Sequence, residues 1–218
     1  KINAINNKSS ELTIDPGASG DSFVQFDING TGEFRIGVDD NDSDKFKISQ
    51  GSALGTNDCL VCTSAGEITK PLQSAFLAYL GTTDSNATGD GTDFQIGSGN
   101  TLTEVFDQNS DFNTNGTFTA PATGKYVFVF NIEYDDIDSG HTNHIMTVDT
   151  SNRDYIGSNV NPYSINAGGS VGFTLTVFAD MDASDTAVVK GRVLNGTKTV
   201  DIVSGTDMRT MFAGFLAG

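Results

Sequence analysis

The clearest hydrophobic pattern follows a turn signal at Pro121 and Gly124, where apolar and other residues begin to alternate. Period two over residues 125–134 predicts a β-strand. One face carries five large side chains: Tyr126, Phe128, Phe130, Ile132 and Tyr134. The middle of the other face holds Val127 and Val129, where a strand with one solvated face would carry polar residues. We therefore predict a central strand, with the protein's own core on the first face and a neighbouring subunit against the second.

The last apolar segment, residues 211–216, is also apolar on both faces. Alternation directs Phe212 to the core and Phe215 to the opposite face, which needs a partner of its own. Full burial of one Phe contributes roughly 1.5–3 kcal/mol, so a few such side chains suffice for a stable contact between subunits. We predict an obligate interface of roughly 2,000 Å² or more.

Residues 1–70 are poorer in apolar side chains. After an apolar segment at residues 2–5, short alternating segments of about five residues lie at 23–28, 33–38 and 45–49, separated by turn residues. Such short hairpins bury too little surface to offset the entropy of the chain. We expect several copies to share a core, each giving one apolar face to a common axis.

A boundary is predicted at Lys70 and Pro71, because proline interrupts strand pairing and the composition changes there. The second part holds 11 of the 15 Phe and all five Tyr. Its apolar segments recur with regular turn spacing and predict about nine strands, in a β-sandwich or jelly roll. The 25 Gly and the absence of Trp fit an all-β protein.

The net charge of −16 excludes a phosphate backbone as partner, so nucleic acid is not expected. The sequence shows neither a signal peptide nor an apolar membrane span, and no membrane insertion is expected. Since the chain begins with Lys, we expect a fragment or a processed chain. Cys59 and Cys62 have the spacing of a redox pair or half a zinc site, but with no second pair we interpret them as side chains of a β element.

The order of motifs resembles a known family. It runs through SAFLAYL, EVFDQNSDFN, GTFTAPATGKYVFVF, GGSVGFTLTVFADMDASDTAVV and FAGFLAG, and resembles the globular head of the complement C1q and tumour-necrosis-factor superfamily over nearly all of residues 71–218. The resemblance implies a ten-stranded jelly roll that forms tight homotrimers. The TGDGT segment at residues 88–92 is similar to C1q-like tips on microbial and phage fibres. The stretch DKFKISQGSALGTNDCLVCTSAGEIT resembles repeated stalk segments of phage tail fibres.

The predicted architecture is therefore all-β, with a β-rich stalk at residues 1–70 and a C1q/TNF-like jelly-roll head at residues 71–218. Ligand contacts are expected in three polar loops, at residues 84–93, 135–143 and 159–169, whose carboxylates, amides and one aromatic ring suit a sugar. The candidate ligand-binding residues are Asp84, Asp90, Asp93, Asp138, His141 and Tyr163. The candidate interface and core residues are Tyr126, Val127, Phe128, Val129, Phe130, Phe212 and Phe215.

The acidic loop with Asp180, Asp182 and Asp185 is the candidate metal site, because calcium prefers clustered carboxylate oxygens. The alternative is a set of solvated turns. No other cofactor is expected. His141 and His144 are expected in exposed loops, with a three-His ring on a threefold axis as the alternative.

The leading interpretation is a trimeric fibre tip, on a virion or a cell-surface appendage, that attaches to a host receptor or glycan. The second is a structural trimerisation or capping domain without a ligand. A third, a secreted signalling ligand, is disfavoured by the fibre-like stalk. The sequence contains no nucleophile elbow, and we do not expect an enzyme.

Overall fold

The computed structural model describes residues 12–17, 19–30 and 33–218. The chain divides into two compact units, Lys1–Gln73 (unit 1) and Ser74–Gly218 (unit 2). The apolar segment at residues 2–5 lies outside the described residues. No helix among the described residues is long and apolar enough to cross a membrane.

The described residues of unit 1 form one antiparallel sheet in which consecutive strands pair in order. Its strands are β1 Ser22–Asp27, β2 Glu33–Asp39, β3 Lys45–Gln50, β4 Asp58–Cys62 and β5 Ile68–Thr69. One turn of 3₁₀-helix, Asp40–Asp42, joins β2 to β3. The CxxC segment forms β4, and both thiols are free.

The buried face of this sheet is charged. Lys47 is 2% exposed, and its Nζ lies 2.8 Å from Asp39, 2.7 Å from Asp42 and 3.1 Å from Asp58. Burial alone would lower the pKa of Lys47, but hydrogen bonds to these carboxylates outweigh it and raise the pKa above its ordinary value. Leu54, in the loop between β3 and β4, is also buried, with 7% of its surface exposed. An ion cluster therefore occupies the place that an apolar core would take.

Unit 2, which is described in full, contains thirteen strands. They are β6 Ala75–Leu80, β7 Asp84–Thr88, β8 Phe94–Gln95, β9 Leu102–Asp107, β10 Phe112–Asn113, β11 Thr117–Thr119, β12 Gly124–Asp135, β13 Asn143–Thr150, β14 Asp154–Val160, β15 Val171–Met181, β16 Thr186–Leu194, β17 Val200–Ile202 and β18 Met211–Leu216. Sheet I has the order β7-β17-β12-β18-β6-β9, with β15 paired to the other edge of β12. Sheet II has the order β10-β11-β16-β13-β14, and β8 pairs with β16.

The core of unit 2 lies between these sheets and is rich in aromatic rings. Phe76 on β6 stacks on Phe112 at 4.5 Å and on Phe118 at 5.1 Å, and meets the edge of Phe212 at 4.9 Å. Gly214 on β18 is required here, because a Cβ atom at this position would lie 2.5 Å from the ring of Phe128. The all-β prediction with a jelly-roll sandwich in the second part of the chain is confirmed.

Strand β12 has the alternation that its sequence predicts. The five aromatic and aliphatic side chains of its inner face are all fully buried: Tyr126, Phe128, Phe130, Ile132 and Tyr134. It pairs with β15 along eleven residues and with β18 along six on its other edge. It is therefore the central strand of sheet I.

The loop predicted at residues 84–93 is partly wrong. Residues 84–88 form β7, which pairs with β17 at the edge of sheet I, and a second short strand, β8, follows at Phe94. The polar sequence DSNAT hides this strand, because only Ala87 is apolar and its neighbours are Ser, Asn and Thr.

Candidate functional site

The three predicted ligand loops meet at one end of unit 2. The antiparallel pairing of Tyr134 with Val171 and of Asp135 with Asp201 places the end of β12 beside the starts of β15 and β17. Residues 136–142, 161–170 and 195–199 therefore leave the sandwich together, and the amide of Gly196 donates to the carbonyl of Gly89 over 3.0 Å. We call this end the loop end.

The chain begins and ends unit 2 at the opposite end. The amide of Leu216 donates to the carbonyl of Ser74 over 3.0 Å, and the amide of Lys125 donates to the carbonyl of Gly218 over 2.7 Å. Ser74 is the first residue of the unit and Gly218 the last. The loop end is thus the part of unit 2 farthest along its strands from the point where the chain arrives from unit 1.

His141 is buried at the loop end, where it holds two loops together through hydrogen bonds and is not exposed to a ligand. Its side chain is fully buried. Its Nδ1 accepts from the amide of Asp138 over 3.0 Å, and its Nε2 lies 3.0 Å from the carbonyl oxygen of Thr197. The ring also fills the space beside Gly89 and Gly196, where a Cβ atom would lie within 3 Å of it. The expectation of an exposed histidine is wrong, because both nitrogens bind backbone groups.

His144 is equally buried but bonded differently. It lies on β13 between sheets, stacked on Phe173 at 3.9 Å with Tyr134 at its edge. Neither ring nitrogen has a hydrogen-bond partner among the described residues. Burial lowers the pKa of His144 to about 4. It is a neutral core residue, and the expectation of an exposed loop position is wrong for it too.

Asp84, another candidate ligand-binding residue, is buried as well. It is 5% exposed, and its Oδ1 accepts from the backbone and side-chain amides of Asn100 over 2.7 and 2.8 Å. Burial raises the pKa of Asp84, and the bonds from Asn100 oppose that shift. This carboxylate ties β7 to the loop before β9. Its place at the start of a strand is what the sequence reasoning missed.

Three of the predicted carboxylates remain at the surface of the loop end. Asp90 accepts from the amide of Thr92 over 3.0 Å, and bonds with Thr92 lower the pKa of Asp90. Asp93 lies 3.3 Å from Nε of Arg192. Asp138 accepts from the amide of Gly140 over 2.7 Å and has an exposed side chain. All three residues are exposed, and the side chains of Asp90 and Asp138 bond backbone amides of their own turns.

Tyr163 is the aromatic residue predicted for this surface. It is half-buried and packs against the core of unit 2. Only part of its ring is therefore accessible to a ligand.

The predicted metal residues lie at the other end of unit 2. Asp180 bonds Arg153 over 2.9 Å and the hydroxyl of Tyr155 over 3.1 Å, and its own backbone amide and Tyr155 lower its pKa. Asp185 accepts from Asn152 and from the amide of Asp182. Among the described residues, no three acidic, His or Cys side chains form a group that could hold a metal. Calcium at this loop stays a prediction that this geometry does not favour.

A polar groove that the sequence reasoning missed runs along the β10–β11 hairpin. It has a volume of about 530 Å³, with lining residues that include Asn113, Asn115 and Thr117. Its amide and hydroxyl groups could bond a hydroxylated ligand. The sequence signal was the polar side of the strand that carries Phe118, where Thr117 and Thr119 alternate with the buried ring.

The outer face of sheet I is apolar and exposed. Phe178 on β15 and Phe215 on β18 pair with Val127 from either side, and they are 62% and 46% exposed. In the next row Ala213 adjoins Val129. Further along the sheet Leu77 pairs with Phe106, which is 48% exposed. The predicted residues Val127, Val129 and Phe215 thus share one surface, to which Phe178 and Phe106 are added.

Comparisons with protein-family models find no match, and neither do comparisons with curated proteins. Among solved structures, the chain is similar to the globular domain of zebrafish complement 1qA protein, with 17% identity over 67% of this chain and 98% of that one and a TM-score of 0.43. It is similar to murine APRIL at pH 8.5, with 10% identity, 66% and 98% coverage and a TM-score of 0.43. It is also similar to PRD1 vertex protein P5, with 10% identity, 70% and 78% coverage and a TM-score of 0.46. C1q and TNF-like proteins are the classes that the motif order indicates, and the likeness extends to the fold alone.

Proposed function

We propose that this chain is a trimeric fibre-tip protein that attaches to a host-cell receptor or glycan through the loop end of unit 2. One observation carries the proposal. Loops from three separate parts of the sequence meet at the end of the sandwich opposite to Ser74 and Gly218. A tip that is tethered at one end presents its other end to a target.

The chemistry of the loop end suits a hydroxylated ligand. Asp90, Asp93 and Asp138 are exposed, and the carboxylates of Asp90 and Asp138 accept hydrogen bonds from backbone amides of their own turns. His141 holds the loop of Asp138 against that of Thr197, so these acceptors lose little conformational entropy on binding. Three copies in a trimer would add avidity to weak single sites.

The trimer is supported by the outer face of sheet I. Phe106, Phe178 and Phe215 are about half exposed or more, and Val127 and Val129 lie among them. Large apolar patches on a soluble protein mark interaction surfaces. Burial between subunits would stabilise each of these rings by roughly 1–2 kcal/mol.

A glycan array tests the attachment function. Replacing Asp90 and Asp138 together by Asn keeps their turn acceptors but removes both charges. We expect at least roughly tenfold weaker binding. The matched control is Asp154→Asn with Asp182→Asn, which removes two exposed charges at the other end. Equal binding by the two double variants would contradict the assignment of the site.

The structural alternative is favoured by one observation: the loop end is tied internally through His141 and Asp84, as a rigid cap would be. A chain lacking residues 74–218 separates the two functions on the intact parent particle. Loss of assembly with retained attachment would support the cap. Loss of attachment by particles that still assemble would support the tip.

A further inference from the structure

In the sheet of unit 1 the charged side chains lie on the enclosed side and the apolar side chains on the open side, the reverse of an ordinary protein sheet. Residues opposite one another in the ladder share a face, so the register divides the sheet into two sides. The side that carries Lys47 also carries the other charged residues of the first three strands: Asp27, Glu33, Arg35, Asp39 and Lys45. The opposite side, which we call the unit 1 apolar face, consists mainly of Val24, Phe26, Phe34, Ile36, Val38, Phe46, Ile48, Leu60, Cys62 and Ile68.

The unit 1 apolar face is open. Phe26, Phe34 and Phe46 are 60%, 47% and 40% exposed. The segments that bridge the strands fold onto the charged side instead. Asp42 of the 3₁₀ turn contacts Lys47, and a Cβ atom on Gly55 in the loop before β4 would lie 2.7 Å from Asp39. Among the described residues, no connecting segment supplies a second layer over the apolar rows.

We propose that the unit 1 apolar face packs against the same face of further copies of this chain. Three Phe rings that are each at least 40% exposed lie on this one side of the sheet, and an exposed apolar patch rimmed by polar residues marks an interaction site. The ladder positions of the described strands on this side hold no charged residue, in a chain of net charge −16. A second copy offers an equally uncharged and flat surface of the same size.

A second copy of the chain is also a suitable partner for the apolar surface of unit 2. This separate surface includes the exposed side chains of Phe178 and Phe215. In closed cyclic assemblies equivalent residues surround a common axis. The charged side, closed by the Lys47 cluster, then remains outside. This surface deepens the proposed trimer but does not depend on what the loop end binds.

Cross-linking of the full chain tests this packing. In a background of Cys59→Ser and Cys62→Ser, Phe46→Cys places a thiol on the apolar face, in its middle strand β3. Ser52→Cys places one in an exposed loop before β4 as the control. A short bismaleimide should join chains through position 46 at least tenfold more than through position 52. Equal yields, or none at position 46, would overturn the proposal.

Charge substitutions give an independent measure. Phe34→Glu with Phe46→Glu should raise the concentration at which half of the chains are assembled by about 100-fold. The control, Ser52→Glu with Ala53→Glu, adds the same charge elsewhere in unit 1. Protection of unit 1 amides from hydrogen exchange, at a protein concentration high enough for the variants to assemble, verifies that they fold.

The outcomes separate the possible occupants. Weakened assembly without cross-links at position 46 would mean that the face meets a different surface, and the proposal of same-face packing would fail. An unchanged assembly in the Phe34/Phe46 variant would mean that the face is covered within its own chain, which also overturns it. Glycan binding by the Asp90/Asp138 variant is measured separately, so failure here is distinct from failure of the attachment function.

Discussion

Unit 1 and unit 2 differ in which side chains their sheets enclose and which they leave exposed. In unit 2, two sheets enclose the aromatic rings of Phe76, Phe118 and Phe128 between them. In unit 1, a single sheet encloses Lys47 and its carboxylates and leaves Phe34 and Phe46 outside. Because a buried ion cluster contributes little net stability compared with an apolar core, unit 1 depends on association for the burial that unit 2 achieves alone.

The largest expected effect concerns the charged interior of unit 1. Lys47→Met would leave Asp39 and Asp58 without their cation and Asp42 with Lys45 alone. We expect a loss of roughly 3–5 kcal/mol in the stability of unit 1, measured by hydrogen exchange of its amides in the intact chain. The control Lys45→Met removes a partly exposed ion pair with Asp42 and should cost at most about 1 kcal/mol. Similar losses in both variants would show that the Lys47 cluster is not the interior of the unit.

The two faces of sheet I provide the next contrast. Phe128→Ala empties a fully buried position and should cost roughly 3–5 kcal/mol in the unfolding of unit 2. Phe178→Ala acts on the exposed side, where we expect little change in the unfolding of dissociated chains. It should instead weaken assembly, by about tenfold or more. Denaturant unfolding and sedimentation distinguish the two effects. If Phe178→Ala lowered the free energy of unfolding of dissociated chains as much as Phe128→Ala does, the assignment of the faces would be contradicted.

Lowering the pH should reduce the stability of unit 2 by a smaller amount. The pKa of His144 is about 4 in the folded chain, below the ordinary value of 6.5 for an unfolded histidine. The unfolded chain therefore binds more protons as the pH falls from 6.5 to 4, and the stability present above pH 6.5 is lost through that window. The loss approaches about 3 kcal/mol.

The variant His144→Phe keeps a ring against Phe173 and Tyr134 but cannot titrate. Thermal unfolding at pH 7 and pH 4.5 should show a smaller decline in the variant than in the original chain. The same decline in both would mean that His144 is not the group responsible.

Much of unit 2 could be predicted because its longest strands, such as β12 and β16, alternate clearly between buried and less buried residues. The inner and outer faces of β12 follow directly from the positions of Tyr126 and Val127 in the sequence. Strand β7 could not be predicted, because a polar edge strand such as DSNAT has no hydrophobic period. Its pairing depends on a tertiary neighbour, β17.

The candidate site was predicted only in outline. Loops are recognised from composition, and three polar loops do meet at one end. Which polar side chains are buried depends on tertiary contacts: Asp84 meets Asn100, and His141 meets the carbonyl of Thr197. In unit 1 the alternation of Phe46, Lys47 and Ile48 assigned two faces but not which of them would be enclosed.

The central claim is that the apolar surfaces of both units are covered by other copies of the same chain. The molar mass in solution, measured by sedimentation equilibrium at micromolar concentration, tests it most directly. One chain has a mass of 22.9 kDa, so the account predicts three times that value, about 69 kDa. A single species of 22.9 kDa at that concentration would contradict it.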